Sequence, residues 1–166
     1  MLNSALLSDE HLMLNSLSSN PALWEEESEV FPVKIGISTV TVSTTRNDRQ
    51  WIAYGAVELN KLAELSENWD SYGTLPVEQG SLEQAFRVYL IATQNREMNQ
   101  LPHFTATPDG GVGLMWHHGD KGLEVEVLGP LFVKWYFYDD STNHEWSGDV
   151  SLDLSILNER LDEIYE

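Results

Sequence analysis

Glu124 and Glu126 stand two residues apart in Leu123-Glu-Val-Glu-Val127. On a strand, that spacing projects both carboxylates from one face, roughly 7 Å apart. Paired carboxylates at such a separation can perform the general acid–base work of glycoside hydrolysis. Leu123, Val125 and Val127, however, point the other way, which is the pattern of a half-buried strand with a solvated side. Nothing in the neighbouring sequence marks either glutamate as withdrawn from water, so the solvated face is the preferred reading. Catalysis by this pair with nearby histidines is the alternative.

Other residue types that could do chemistry lack the context it needs. His103, His117, His118 and His144, with Asp109 or Asp120 as an oxygen donor, raise the question of a metal. Adjacent histidines on a strand point to opposite faces, and no His-x-His or His-x-x-x-His spacing occurs, so no metal ligand is assigned. Asp109-Gly-Gly111 precedes a strand without a lysine, so it reads as a hairpin turn and not as a phosphate-binding loop. Ser71, Ser81 and Ser141 lie outside any Gly-x-Ser-x-Gly elbow. The chain has no cysteine, hence no thiolate nucleophile, disulfide or Cys-type zinc site. Neither catalytic residues nor a cofactor are expected.

Trp135-Tyr-Phe-Tyr138 has a different character. Four aromatics in a row place two rings on each side of a strand. One pair must enter a core, and the other must meet solvent, another element or a partner. Asp139-Asp140 follows at once. Aromatic rings beside dense acid suit a surface that docks a basic, partly apolar partner. Trp135, Tyr136, Tyr138, Asp139, Asp140, Glu145 and Asp149 are therefore the candidate partner-binding residues. A second aromatic group, Trp69 and Tyr72 around Asp70, is read as a buried loop plug in which Asp70 caps the following turn.

The charge agrees with a basic partner. Twenty-seven acids against nine Lys and Arg leave 166 residues with a formal charge of −18. Nine of the acids fall between Trp135 and Glu166, against one base, Arg160. Such a field repels nucleic acid and anionic lipid and attracts basic protein surfaces, including grooves built to hold nucleic acid. With no membrane-length apolar run and no signal-peptide pattern, a cytoplasmic location is expected.

These residues need elements to hold them. Residues 1–29, rich in Ser and Asn, read as a flexible or partner-ordered arm, and 30–166 as one domain. Phe31–Thr45 is β-branched and reads as a strand or a hairpin bent near Ser38-Thr39, followed by a turn at Asn47–Gln50. Ala56–Leu65 fits a short amphipathic helix. Ser81–Gln94 fits a longer one with Leu82, Ala85, Phe86, Tyr89 and Leu90 in one stripe and a Ser81/Gln84 capping box. From Pro102 the period becomes two: His103–Thr107, Val112–His117, Gly122–Leu128 and Leu131–Tyr138 read as consecutive antiparallel strands with short turns. Leu152–Tyr165 closes the chain as an amphipathic helix. The expectation is an α+β domain: a mainly antiparallel β-meander packed by two or three helices.

The order Asn68-Trp-Asp-Ser-Tyr-Gly73, helix, Thr107-Pro-Asp-Gly-Gly-Val112, then Leu123-Glu-Val-Glu-Val127 resembles a group of small bacterial proteins with no established activity. The resemblance covers about Leu65 to Tyr138. It implies the fold and no site, and its association with mobile elements implies roles in conflict systems. The expected function is non-catalytic: binding and inhibition of another macromolecule, a nucleic-acid-handling protein, in the manner of an anti-defence (anti-CRISPR-like), antitoxin or immunity protein, with nucleic-acid mimicry as one route. A third option is a structural subunit or homo-oligomer with the aromatic strand as its seam.

Overall fold

In the computed structural model, which describes residues 29–44, 49–94, 96–150 and 154–166, two antiparallel sheets enclose a helical layer. β1 (Glu29–Ile35) and β2 (Ser38–Thr44) form a separate two-stranded hairpin. α1 (Arg49–Ala63) and α2 (Gln79–Thr93) follow. A single 3-10 turn, Met98–Gln100, leads into β3 (His103–Ala106), β4 (Val112–His118), β5 (Lys121–Leu128), β6 (Phe132–Asp139) and β7 (His144–Val150). These five strands pair in chain order as a meander, and α3 (Ser155–Tyr165) closes the chain. The α+β class and the meander are as expected. The proposed arm lies outside the described residues except for Glu29, which already belongs to β1.

The alternation of β5 fixes which way the meander faces. Leu114, Trp116, Leu123, Val125, Val127, Val133 and Phe137 are all buried and share a core with Leu82, Phe86 and Tyr89 of α2 and with Leu157, Leu161 and Ile164 of α3. This inner face receives the helices. The hairpin packs on the far side of α1 and α2, contributing Val33, Ile35 and Val42 to the same core. Its turn is stitched down by amides: Gly36 N–H donates to Asn60 Oδ1 (2.9 Å), Asn60 Nδ2 to the Lys34 carbonyl (2.8 Å) and Gln79 Nε2 to the Ile35 carbonyl (2.9 Å). Among the described residues, no helix is long and apolar enough to cross a membrane.

Several boundaries differ from the sequence reading, each for a physical reason. The hairpin turns at Gly36-Ile37, two residues early, because Gly36 (φ +58°) supplies the left-handed conformation a tight turn requires. α1 begins at Arg49, seven residues before Ala56, and so takes in the end of the segment read as a turn. Its buried positions Ile52, Gly55 and Leu59 form one continuous stripe, with the glycine inside the helix. The Ser81/Gln84 capping box is absent: the N-cap is Glu78, and buried Ser81 instead accepts the Gly129 N–H through Oγ (2.8 Å). α3 is described from Ser155 onward. β7 is a fifth strand that the apolar pattern does not announce, since it is an edge strand with most side chains exposed.

Candidate partner interface on the outer sheet face

The registers of β3 to β7 place a second set of side chains on the face turned away from the helices. Met115 pairs with Glu124, Glu124 with Tyr136, and Tyr136 with Ser147. The neighbouring row runs Gly113, Glu126, Lys134 and Asp149, and the next His117, Gly122, Tyr138 and Glu145. Among the described residues no helix or hairpin packs over these rows. The result is an open surface with four carboxylates, two tyrosines, a methionine and one base, Lys134.

One hydrogen bond and several like charges couple these groups. Tyr136 donates a hydrogen bond to Glu145; that bond first, then burial and the charges of Glu145, Glu124 and Asp140, hold its phenol above the usual tyrosine value. Partial burial, followed by Glu124 and Asp140, pushes Tyr138 the same way. Tyr138 also lies across Gly122: a Cβ there would meet the ring at 2.3 Å. The ring covers a glycine that would otherwise leave the backbone bare. Its far edge approaches His117, with ring centres 6.3 Å apart. Glu124 is exposed and Glu126 half-buried, and both line a shallow groove of about 380 Å³ with Thr105, Met115, Lys134 and Tyr136.

Of the seven candidate partner residues, Tyr136, Tyr138, Glu145 and Asp149 share this face, and the charge of Asp140 reaches its tyrosines. Trp135 does not join them. It belongs to the inner face, where its ring packs beside Gly148 and the Arg160 guanidinium lies 5.6 Å from the ring centre. Arg160 also stands 5.4 Å from Phe137 and 5.3 Å from Trp146, so the one base of the acidic C-terminal stretch binds three aromatic rings to α3. Asp139 is occupied as well. Its Oδ1 accepts from the Ser141 hydroxyl (2.6 Å) and amide (3.0 Å), pinning the β6–β7 turn and holding the carboxyl below its ordinary value.

The remaining candidates are dispersed. His117 lies on the outer face and His118 on the inner side, where its ring meets Tyr165 at 5.6 Å. His144 packs on Trp146 at 5.4 Å, and His103 lies beyond Met115 on β3. Among the described residues, no three His, Asp or Glu side chains form a group that could hold a metal. Asp109-Gly-Gly111 is the β3–β4 turn, closed by Thr107 N–H to the Gly111 carbonyl (3.1 Å). Ser71 lies in the α1–α2 connection, where it takes a left-handed conformation, and Ser141 in the β6–β7 turn.

The plug reading of Trp69 is overturned. Trp69 is 39% exposed and Tyr72 92% exposed, so neither ring fills the core. Asp70 does cap the turn, accepting from the Tyr72 amide (2.9 Å) and the Thr74 hydroxyl (2.9 Å). Glu124 and Glu126 share the solvated face read from the sequence; what sequence reasoning missed is that Met115 and Lys134 join them, and that this is the face of Tyr136 and Tyr138. The available signal was strand parity, Met115 alternating with Leu114 and Trp116 and Lys134 with Val133 and Trp135. Set against protein-family models, curated proteins and solved structures, the chain matches none.

Proposed function

We propose that the chain is a non-catalytic binding protein whose outer sheet face docks on a basic surface of another macromolecule and blocks it. One observation carries this reading: the sheet face left free by the helices gathers Tyr136 and Tyr138 among Glu124, Glu126, Glu145 and Asp149, with Lys134 the one Lys or Arg of these rows among the described residues. Tyrosines are common energetic anchors of interfaces, and acidic rims steer basic partners. With a formal charge of −18, the favoured partner is a nucleic-acid-handling protein, whose groove carries the complementary charge. An anti-defence or antitoxin-like role fits that chemistry and the resemblance to small bacterial proteins. A cytoplasmic setting agrees with a chain that contains no cysteine.

The test is retention of host proteins on the immobilised chain at low and moderate salt, compared with a Tyr136→Ala/Tyr138→Ala/Glu145→Gln/Asp149→Asn variant. Loss of the same species with salt and with the variant supports the reading. Equal retention by both proteins sinks it.

A second reading rests on the groove around Glu124 and Glu126. Its size and mixed lining suit a small cationic ligand held between the two carboxylates and Tyr136. Glu124→Gln/Glu126→Gln decides between the readings: loss of all biological activity at an unchanged melting temperature favours the small-ligand site.

A further inference from the structure

Six of the ten exposed large apolar side chains among the described residues gather at one end of the molecule, around the start of α2: Ile37, Trp69, Tyr72, Leu75, Leu131 and Phe132. They come from three separate segments, each tied to that end. Ile37 N–H donates to Gln79 Oε1 (3.1 Å), and the Gly129 amide donates to Ser81 Oγ. The 68–75 connection leads directly into α2, and its Leu75 N–H donates to the Pro108 carbonyl (3.0 Å). Scattered apolar residues on a surface need no explanation, but six converging on one helix start do.

Two further features make this end a docking surface. A groove of about 560 Å³ opens between the hairpin turn, the end of α1 and the start of α2, with Ile37, Ala63, Val77 and Leu82 as apolar walls and one charge of each sign, Lys34 and Glu64, in its lining. The aromatic connection beside it is fixed before any partner arrives. Asn68 (φ 61°), Ser71 (φ 68°) and Gly73 (φ 87°) are all left-handed, and Asn68 Oδ1 holds the Gly73 amide at 2.7 Å. Left-handed Asn and Ser are held here without any reward from burying Tyr72, an arrangement that pre-organises exposed rings.

Charge selects the occupant. Segments 36–37, 64–80, 107–111 and 128–132 contain Glu64, Glu67, Asp70, Glu78 and Asp109. Against these five acids stand two bases from adjoining segments, Lys34 in the groove lining and Lys134 with its ammonium 5.1 Å from the Phe132 ring centre, so the end stays net acidic. A second copy of this chain would bring the same acids face to face, and nucleic acid or an anionic membrane would be repelled. We infer that this end receives a segment of another protein in which large apolar side chains are flanked by lysine or arginine. The inference goes beyond the outer-face reading and does not rest on it, because the two surfaces adjoin along one edge, at Thr107 and at Phe132 beneath Lys134, and otherwise draw on different residues.

The test uses the full chain, labelled with 15N, and two synthetic amphipathic peptides of equal leucine content, one bearing lysines and the other glutamates. The lysine peptide is expected to shift the amides of 36–37, 64–80 and 129–132 and the glutamate peptide to leave them unmoved. Ile37→Ser/Leu131→Ser should weaken the lysine peptide at least 10-fold at an unchanged melting temperature. If that pair destabilises the fold, Tyr72→Ser serves in its place. Tyr136→Ala/Tyr138→Ala should leave this binding intact even where it abolishes outer-face docking. Shifts confined to the outer face, equal response to both peptides, no response, or unaltered affinity in the serine variants would each overturn the inference.

Discussion

The Tyr89 ring occupies the space that a side chain on Gly55 would need: a Cβ built there lies 2.2 Å from the ring. Tyr89 is fully buried, and its hydroxyl donates to the Trp51 carbonyl at 2.7 Å, one turn before Gly55. The glycine therefore sets how closely α1 and α2 approach. Gly55→Ala is expected to cost about 1–3 kcal/mol by overpacking, despite the better helix propensity of alanine. Thermal or urea melts check it, and a variant as stable as the parent would show that the ring can step aside.

The same tyrosine makes stability depend on alkaline pH. Burial first, then the neighbouring Tyr54, pushes the Tyr89 phenol well above its ordinary value of 10.0. Above that ordinary value the unfolded chain releases a proton that the native chain keeps. Stability is thus complete below about pH 10 and declines as pH rises toward the native value. Tyr89→Phe should flatten this decline while costing about 1 kcal/mol for the lost hydrogen bond. Urea midpoints between pH 8 and 11 supply the comparison.

Gly55 also shows what could be read without the structure. Leu123, Val125 and Val127 announce β5 by strict alternation, and Leu82, Ala85, Phe86 and Tyr89 announce α2, because each pattern is local. The first two turns of α1, about seven residues, were hidden because only contact with Tyr89 gives Gly55 a reason to be helical. β7 was hidden because an edge strand need bury little, and His144, Glu145, Ser147 and Asp149 read as loop. The split of Tyr136 and Tyr138 from Phe137 follows from period two. The occupation of Trp135 by Arg160 depends on a helix 25 residues further on, which no local pattern encodes.

Arg160 yields a third prediction. Its guanidinium meets three rings and its Nη1 donates to Glu163 (2.6 Å), while Nε is buried without a hydrogen-bond partner among the described residues. Arg160→Ala removes the cation–π contacts and the packing of the stem, and a loss of about 2 kcal/mol is expected. Arg160→Lys should recover only part of it, since a point charge cannot spread over three rings as a planar group does. Tryptophan fluorescence should shift to the red in the alanine variant, through Trp135 and Trp146. An unaltered spectrum and melt would remove Arg160 as the anchor of α3.

Gly122→Ala separates the outer face from the fold. The new methyl would strike the far end of the Tyr138 side chain, which can swing aside, whereas the backbone pairing of β5 and β6 need not change. The expected stability change is small, within about 1 kcal/mol. If Tyr138 anchors the partner, binding should fall several-fold with the ring displaced. Retained binding with a displaced ring, visible in the tyrosine resonances, would exclude Tyr138 from the interface.

The α1–α2 connection provides the last prediction. Trp69→Ala would cost roughly 3–5 kcal/mol if the ring were buried. At 39% exposure much of the ring is already in water, so about 1 kcal/mol is expected, and Tyr72→Ala should be nearly neutral. Asp70 matters differently. Partial desolvation raises its carboxyl, but the Tyr72 and Thr74 hydrogen bonds outweigh it and hold the value below the ordinary 3.8. A depressed native value contributes stability above the ordinary carboxylate range, and that contribution disappears as pH falls through the native value. Asp70→Asn should therefore loosen the loop at neutral pH and leave it unaltered near pH 2. Amide exchange at Tyr72 and Gly73, measured at both pH values, reads this directly. Equal protection in parent and variant at neutral pH would show that Asn68, not Asp70, shapes the loop.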